Sequence, residues 1–222
     1  MRKFVPAYEG HLRKHALSVP RCISECSGIR VFGRRIKSLV FSTDVAIIKN
    51  INADAIIAVY PFTPQPAITQ AISGVSEVPV FCGVGGGLTN GVRSASMAAY
   101  VEHQGAYGVV CNSKIGVETI HAIKDAVEIH VVYKVISENT DIQPYLTAGV
   151  DIINVSGAAR TPEIVGALRQ RYPELPIIAT GGPTEESILA TIRAGANAIT
   201  YTPPSSASLF AKTMADNRSE LE

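Results

Sequence analysis

Residues 175–206 read LPIIATGGPTEESILATIRAGANAITYTPPSS, and this stretch contains the features that decide the fold. It begins with an apolar run at residues 177–179, turns at two adjacent glycines, and continues through a helix-like segment to a second apolar run near residue 198. An uninterrupted apolar run suits a strand that is covered on both faces, as in a parallel sheet with helices outside it. The stretch therefore predicts two consecutive strand–helix units of an α/β fold.

The rest of the chain repeats this alternation. Eight apolar runs are predicted as core strands, at residues 39–41, 55–59, 78–82, 107–111, 129–136, 151–155, 177–180 and 198–201. A helix is predicted after each strand, at residues 45–51, 66–72, 89–103, 117–126, 141–147, 162–171, 185–194 and 207–217. Because eight such units close a barrel, we predict an α/β protein with a (β/α)8 TIM-barrel fold. An open, doubly wound sheet is the alternative.

The segment before the barrel is predicted as a helical extension over residues 1–27 followed by a short hairpin. The hairpin runs through residues 29–36 into the first core strand, with Arg34 and Arg35 at its solvated tip. No stretch has the composition of a linker, so residues 1–222 are predicted to form one domain, with residues 1–37 as its extension and hairpin.

Composition restricts the classes of partner. A net charge of +1 leaves no basic surplus for nucleic acid, and no apolar run approaches the ~20 residues of a membrane span. The four cysteines are too few and too scattered for a disulfide scaffold, and no cluster of His, Asp or Glu has metal-ligand spacing. We therefore expect a cytoplasmic protein with no metal, no cofactor, no nucleic-acid partner and no membrane partner.

Two loops at the carboxyl ends of the last two strands predict an anion site. Gly181 and Gly182 free the backbone amides of a tight turn. Thr202 precedes the start of the last helix, where Ser205 or Ser206 is the predicted N-cap. The loops after the seventh and eighth strands of such barrels commonly bind phosphate. We predict that Gly181, Gly182, Thr202 and Ser205 bind a phosphate group.

Residues 149–206 resemble the phosphate-binding (β/α)8 barrels, a broad group that includes ribulose-phosphate binders and keto-deoxy-phosphogluconate aldolase. The resemblance is carried by IATGG at residues 178–182, AGANA at residues 194–198 and the following Thr202. It implies a small phosphorylated ligand at the carboxyl-terminal mouth of the barrel. The Gly-Ser that usually follows the eighth strand is replaced by Thr202-Pro203-Pro204-Ser205, and proline removes an amide donor there.

Catalytic side chains in such barrels project from the carboxyl ends of the strands. Lys134 lies in an otherwise largely apolar strand, and period-two alternation places it on one face with His130 and Val132. If that face lines the barrel, burial favours the neutral amine, which acts as a base or forms an imine; alternatively, the ammonium group pairs with a substrate phosphate or carboxylate. In the opposite register, Lys134 lies between helices or pairs with Glu138.

Other polar residues at strand ends complete the predicted site. Asp44 is a candidate general base, although the start of a helix favours a carboxylate at this place in any case. Four residues are predicted to orient the substrate: Asn112, Asn154, Ser156 and Thr180. The glycine-rich run at residues 83–87 lacks the spacing of a dinucleotide-binding loop, so a mobile loop or lid is expected instead.

These features favour a lyase or isomerase, aldolase-like or epimerase-like, that acts on a small phosphorylated sugar or carbonyl compound. A non-catalytic regulatory barrel that binds a phosphorylated metabolite is the first alternative, because the strand ends supply few carboxylates. An oxidoreductase that binds flavin phosphate at the same corner is the second. A homo-oligomer is expected from the size of the barrel.

Overall fold

A computed structural model of the protein describes residues 17–219, together with Phe4 and Pro6. The predicted helical extension over residues 1–27 falls mostly outside this part of the chain. Within the described part of that segment, Arg21–Glu25 form a short 3-10 helix after Pro20, and Cys22 and Ile23 are buried.

A two-stranded antiparallel hairpin follows, formed by β1 (Ile29–Val31) and β2 (Arg34–Ile36). Its turn is formed by Phe32 and Gly33, whereas Arg34 and Arg35, predicted at the tip, belong to β2 and are exposed. Val31 and Ile36 are buried against the residues inside the barrel, and the Phe32 ring lies 5.5 Å from Tyr107 and 5.2 Å from His130 between ring centroids. The hairpin therefore covers the amino-terminal end of the barrel.

Eight parallel strands close into a barrel in the order β10-β3-β4-β5-β6-β7-β8-β9. Their bounds are β3 (Ser38–Phe41), β4 (Ala55–Ala58), β5 (Val80–Gly85), β6 (Gly108–Cys111), β7 (His130–Val135), β8 (Ile152–Val155), β9 (Ile177–Thr180) and β10 (Ala198–Tyr201). The predicted TIM-barrel fold is confirmed, and the open sheet is excluded because β10 pairs with β3.

A helix follows each barrel strand. The helices are α1 (Val45–Asn50), α2 (Pro66–Val75), α3 (Val92–His103), α4 (Val117–Ala126), α5 (Gln143–Thr147), α6 (Thr161–Arg171), α7 (Glu185–Arg193) and α8 (Ser206–Ser219). None of the helices in the described part of the chain is long and apolar enough to cross a membrane. Helix α8 differs from its neighbours because none of its residues is buried.

The buried residues form two shells, as strand alternation requires. The inner shell fills the barrel and includes Leu39, Phe81, Val110, Val132, Ile152, Ile178 and Ala198. The outer shell lies between the strands and the helices and includes Val40, Cys82, Val109, Val131, Ile153, Ile177 and Ile199. Each barrel strand therefore presents one set of side chains inward, and residues near its carboxyl end reach the mouth.

Candidate functional site

A cavity of ≈ 540 Å³ opens at the carboxyl-terminal mouth of the barrel. Its lining contains six of the residues that the sequence predicts for the site: Asn112, Lys134, Asn154, Ser156, Thr180 and Thr202. The structure therefore brings together side chains from β7, β8 and β9 and from the residues that follow β6, β8 and β10.

Lys134 lies on the inner face of β7, two residues after Val132 of the inner shell. It is half-buried, and among the described residues that line the cavity its side chain alone is charged. The alternative pairing with Glu138 does not occur, because Glu138 pairs with Arg160 instead. No hydrogen bond or ion pair joins Lys134 to another residue in the described part of the chain, so its amine is available to a ligand.

Two buried oxygens in the same cavity lining also lack hydrogen-bond partners among the described residues. Asn154 is opposite Lys134 in the β7–β8 ladder, and its side chain is buried with 8% exposure. Thr200 is paired with Thr180 in the β9–β10 ladder and is 5% exposed. Neither Asn154 Oδ1 nor Thr200 Oγ1 has a hydrogen-bond partner among the described residues. Since unpaired buried polar atoms destabilise a fold, such atoms in a cavity indicate a ligand-binding role.

Asn112 contributes a donor on the neighbouring side of the cavity. The side-chain Oδ1 of Asn112 accepts a hydrogen bond from the backbone amide of Ser113 at 2.8 Å. The backbone amide of Asn112 donates to Gly85 O at 2.9 Å. The backbone of Gly86 packs so closely that an added Cβ would lie 2.6 Å from Asn112 O. These contacts fix the Asn112 backbone and leave the side-chain amino group to face a ligand.

Asp44 lies outside the cavity lining and is engaged by backbone amides. Its Oδ1 accepts from Ala46 N at 3.0 Å and Ile47 N at 3.3 Å, which makes it the N-cap of α1. Its Oδ2 accepts from Ser206 N at 3.0 Å. Hydrogen bonds from the side chain and backbone of Ser206 lower the pKa of the Asp44 carboxyl. A catalytic role for Asp44 stays a prediction, and these contacts give it a structural role that joins α1 to α8.

We expect Asp44→Ala to lower the free energy of unfolding at pH 7 by about 1–2 kcal/mol, the usual effect of losing an N-cap. The lowered pKa means that the carboxylate stabilises the fold above its unfolded-state pKa of about 3.9. That stabilisation is lost as the pH falls through the folded-state pKa. Urea unfolding at pH 7, 5 and 3 measures the difference, which should shrink only at the lowest pH.

Asp44→Asn separates the two contacts. Asparagine keeps an oxygen for the α1 amides but turns an amino group towards Ser206 N, which cannot accept its proton. A smaller loss than for Asp44→Ala, accompanied by faster proteolysis within α8, is expected. Equal stability of all three proteins at pH 7 would contradict the assignment.

At the predicted phosphate site, two backbone amides already donate hydrogen bonds within the protein. The Gly181 amide donates to Thr200 O at 3.3 Å, and the Ser206 amide donates to Asp44. Ser205 is the N-cap of α8, as expected, because its Oγ accepts from Ser208 N at 3.2 Å. Thr202 lines the cavity, whereas Gly181, Gly182 and Ser205 do not. Phosphate binding by these four residues stays a prediction.

Two features of the site are absent from the predicted set. Thr200 enters the cavity because it follows the inward-facing Ala198 by two residues, a signal that alternation along β10 offers. The other feature is an apolar wall, contributed mainly by Phe41 of β3, by Ile57 and Val59, and by glycines of β5 and its loop. No pattern within these segments of the sequence indicates that they line the same cavity.

Similar folds occur among solved structures. A 2,3-dimethylmalate lyase of the PEP mutase/isocitrate lyase superfamily superposes with a TM-score of 0.66 and 14% identity, over 90% of this chain and 85% of that one. A phosphonopyruvate hydrolase complexed with oxalate and Mg²⁺ gives 0.63 and 16%, over 82% and 80%. The phosphoenolpyruvate phosphomutase from Streptomyces platensis subsp. rosaceus gives 0.62 and 15%, over 82% and 80%.

No protein-family model and no curated protein sequence matches the chain. At these identities the structural likeness shows the barrel fold alone. The three barrels also differ from the ribulose-phosphate-binding and aldolase-like barrels named from the sequence, so the resemblance is confirmed for the fold and not for that narrower group.

Proposed function

We propose that the protein is a lyase or isomerase that acts on a small anionic carbonyl compound, with Lys134 as the reacting residue. The observation that carries the proposal is the Lys134 amine, which lines the cavity opposite Asn154 and has no hydrogen-bond or ion-pair partner among the described residues. An amine without an acidic neighbour is free to add to a carbonyl group or to take up a proton. A phosphorylated sugar is the substrate expected from the sequence, and a 2-oxo acid provides the same combination of anion and carbonyl.

The surrounding groups fit this chemistry. In the imine route, the neutral Lys134 amine adds to the carbonyl carbon, and a proton taken up from water lets the hydroxyl group leave as water, which gives an iminium ion. The iminium accepts the electron pair of an adjacent C–H bond, whose proton passes to water, or of a C–C bond next to a hydroxyl group, whose proton passes to water while the fragment leaves as an aldehyde or ketone. The enamine formed takes up a proton from water, and hydrolysis of the iminium releases the product and restores the amine. Asn112 donates to the substrate, whereas Asn154 Oδ1 and Thr200 Oγ1 accept from its hydroxyl groups. Ser156 and Thr180 add further hydroxyl groups on the same side.

The described residues of the cavity lining do not fit a Mg²⁺ ion such as the one in the phosphonopyruvate hydrolase complex. Mg²⁺ is bound through carboxylate oxygens, and these residues supply none. Within residues 17–219 there is also no group of three or more His, Cys, Asp or Glu that could hold a metal ion.

Borohydride trapping tests the proposal. The purified protein is incubated with dihydroxyacetone phosphate, ribulose 5-phosphate or pyruvate, reduced with sodium borohydride, and digested for mass spectrometry. We expect a stable adduct on the peptide that contains Lys134. An adduct on exposed lysines such as Lys114 and Lys212 alone, in proportion to their accessibility, would contradict the imine route.

A non-catalytic metabolite sensor is the second candidate, and it is favoured because the described residues that line the cavity include no carboxylate. A sensor binds its ligand without changing it. A thermal-shift screen of anionic carbonyl compounds, followed by recovery of the ligand, separates the two functions. Stabilisation with quantitative recovery of unchanged ligand supports the sensor, and formation of a product supports the enzyme.

A further inference from the structure

The polarity of the cavity lining depends on which strands contribute the residues. Most of the polar residues come from consecutive strands or the residues that follow them, from β6 to β10: Asn112, Lys134, Asn154, Ser156, Thr180, Thr200 and Thr202. The apolar side chains come mainly from β3, β4 and the loops after β4 and β5: Phe41, Ile57, Val59, Pro61, Phe62 and Leu88. The exceptions are Tyr60 and Thr89, which follow β4 and β5, and Val110 of β6. Because barrel strands keep their order around the axis, the cavity has one mainly polar side and one mainly apolar side.

The apolar side also has space. Gly87, just after β5, lines the cavity without a side chain, whereas an added Cβ at Gly83 or Gly85 would meet Val59 or Ser94. The register of β5 against β6 shifts between Gly83 and Gly85, so the strand bulges at this point. Around Gly87 there is no atom within 4 Å of an added Cβ. Glycines at such a place let a ligand approach the backbone closely.

Two large apolar side chains at the mouth are exposed on this side. Phe62 is 69% exposed and Leu88 is 86% exposed, and both line the cavity. Tyr60 holds the loop that carries Phe62, because its hydroxyl accepts from Gln65 N at 2.7 Å. Exposed apolar groups that border one cavity indicate that another apolar group covers them when the site is filled.

We infer that the substrate is amphipathic, with an anionic carbonyl head on the polar side and an apolar tail, the size of a butyl or phenyl group, on the glycine and Phe62 side. This inference rests on the proposed function for the head group and extends it to the tail. A volume of ≈ 540 Å³ lies within the range of about 300–1,000 Å³ that is typical of cavities for drug-sized ligands. The tail therefore has room beside the head group.

A series of 2-oxo acids with increasing tails tests the inference: pyruvate, 2-oxobutanoate, 2-oxohexanoate and phenylpyruvate. The half-saturating concentration for borohydride trapping at Lys134 is measured for each. Burial of one methylene is expected to lower it about fourfold. Half-saturating concentrations that agree within twofold across the series would overturn the inference and leave the proposed function intact. Dihydroxyacetone phosphate and phenacyl phosphate form a second arm, which shows whether the head is a phosphate or a carboxylate.

Variants locate the tail. Phe62→Ser is expected to reduce the preference for phenylpyruvate over pyruvate about tenfold, and Gly87→Val should reduce it further because its side chain would fill the space around Gly87, where no atom lies within 4 Å of an added Cβ. Phe210→Ser is the matched control, since Phe210 is 72% exposed on α8 and outside the cavity lining. An equal loss of preference in Phe62→Ser and Phe210→Ser would count against the proposed position of the tail.

A second readout does not depend on the imine. Thermal shifts with acetate, hexanoate and phenylacetate report the tail without a carbonyl group. If no 2-oxo acid is trapped but hexanoate and phenylacetate stabilise the protein more than acetate does, the proposed reaction fails and the apolar subsite stands. If the three acids give equal shifts, the apolar subsite is wrong.

Discussion

Lys134→Met is expected to abolish borohydride trapping and to lower turnover about 10²–10⁴-fold, the usual range for removing a group that transfers protons or bonds to the substrate. The same substitution should leave the free energy of unfolding unchanged or raise it. In the native protein a half-buried ammonium group has no described carboxylate partner, and methionine of similar length removes that charge from the cavity. Activity and stability are therefore expected to move in opposite directions.

Two further variants decide what the lysine contributes. Lys134→Arg keeps a positive charge, but a guanidinium group stays protonated and cannot form an imine. Loss of activity in both Lys134→Met and Lys134→Arg supports a reacting amine, whereas retention in Lys134→Arg supports a purely electrostatic role. Lys114→Met is the control, because Lys114 follows β6 but does not line the cavity. Full turnover in Lys134→Met would show that the proposed mechanism is wrong.

Phe81→Ala is expected to give the largest loss of stability, about 3–5 kcal/mol in the free energy of unfolding, as for other buried phenylalanines. Phe81 is 1% exposed in the inner shell. Its ring packs against Gly108, where an added Cβ would lie 2.7 Å from Phe81 Cδ1. Because Gly108 has no side chain that could expand, removal of the ring leaves a cavity in the centre of the barrel.

Urea unfolding followed by circular dichroism measures this loss. Phe210→Ala is the matched control, since the same atoms are removed from an exposed position on α8. Surface substitutions of this kind usually change stability by less than about 0.5 kcal/mol. If Phe81→Ala and Phe210→Ala reduced stability by similar amounts, the assignment of Phe81 to a tightly packed inner shell would be incorrect.

Much of the fold could be predicted from local pattern. The bounds of β9 and β10, residues 177–180 and 198–201, agree with the predicted ones, and so do those of α4 at residues 117–126. Three glycines that follow helices just before barrel strands take positive φ values, 84° at Gly105, 105° at Gly149 and 111° at Gly195. Strand β5 is the largest departure, because it continues through the glycine run to Gly85. Glycine lowers strand propensity locally, and pairing with β6 overrides that preference.

The site could be predicted in part for the same reason. Alternation along a strand fixes which residues share a face, so Lys134 and Asn154 were identifiable as candidates that reach the mouth. Alternation does not fix which face turns inward. That choice depended on all eight strands closing around Val132 and its neighbours in the inner shell.

The sequence by itself determined the alternation of strands and helices, the helix ends and the polar residues at the strand ends, because each depends on residues close together in the chain. Only the tertiary structure decided which residues from distant segments form hydrogen bonds with one another or line the same cavity. The Ser206 amide, expected to meet a phosphate, donates to Asp44 across 162 positions of the sequence. The apolar side of the cavity likewise requires β3, β4 and β5 to stand beside one another. Such contacts arise from closure of the barrel, and no local pattern of residues records them.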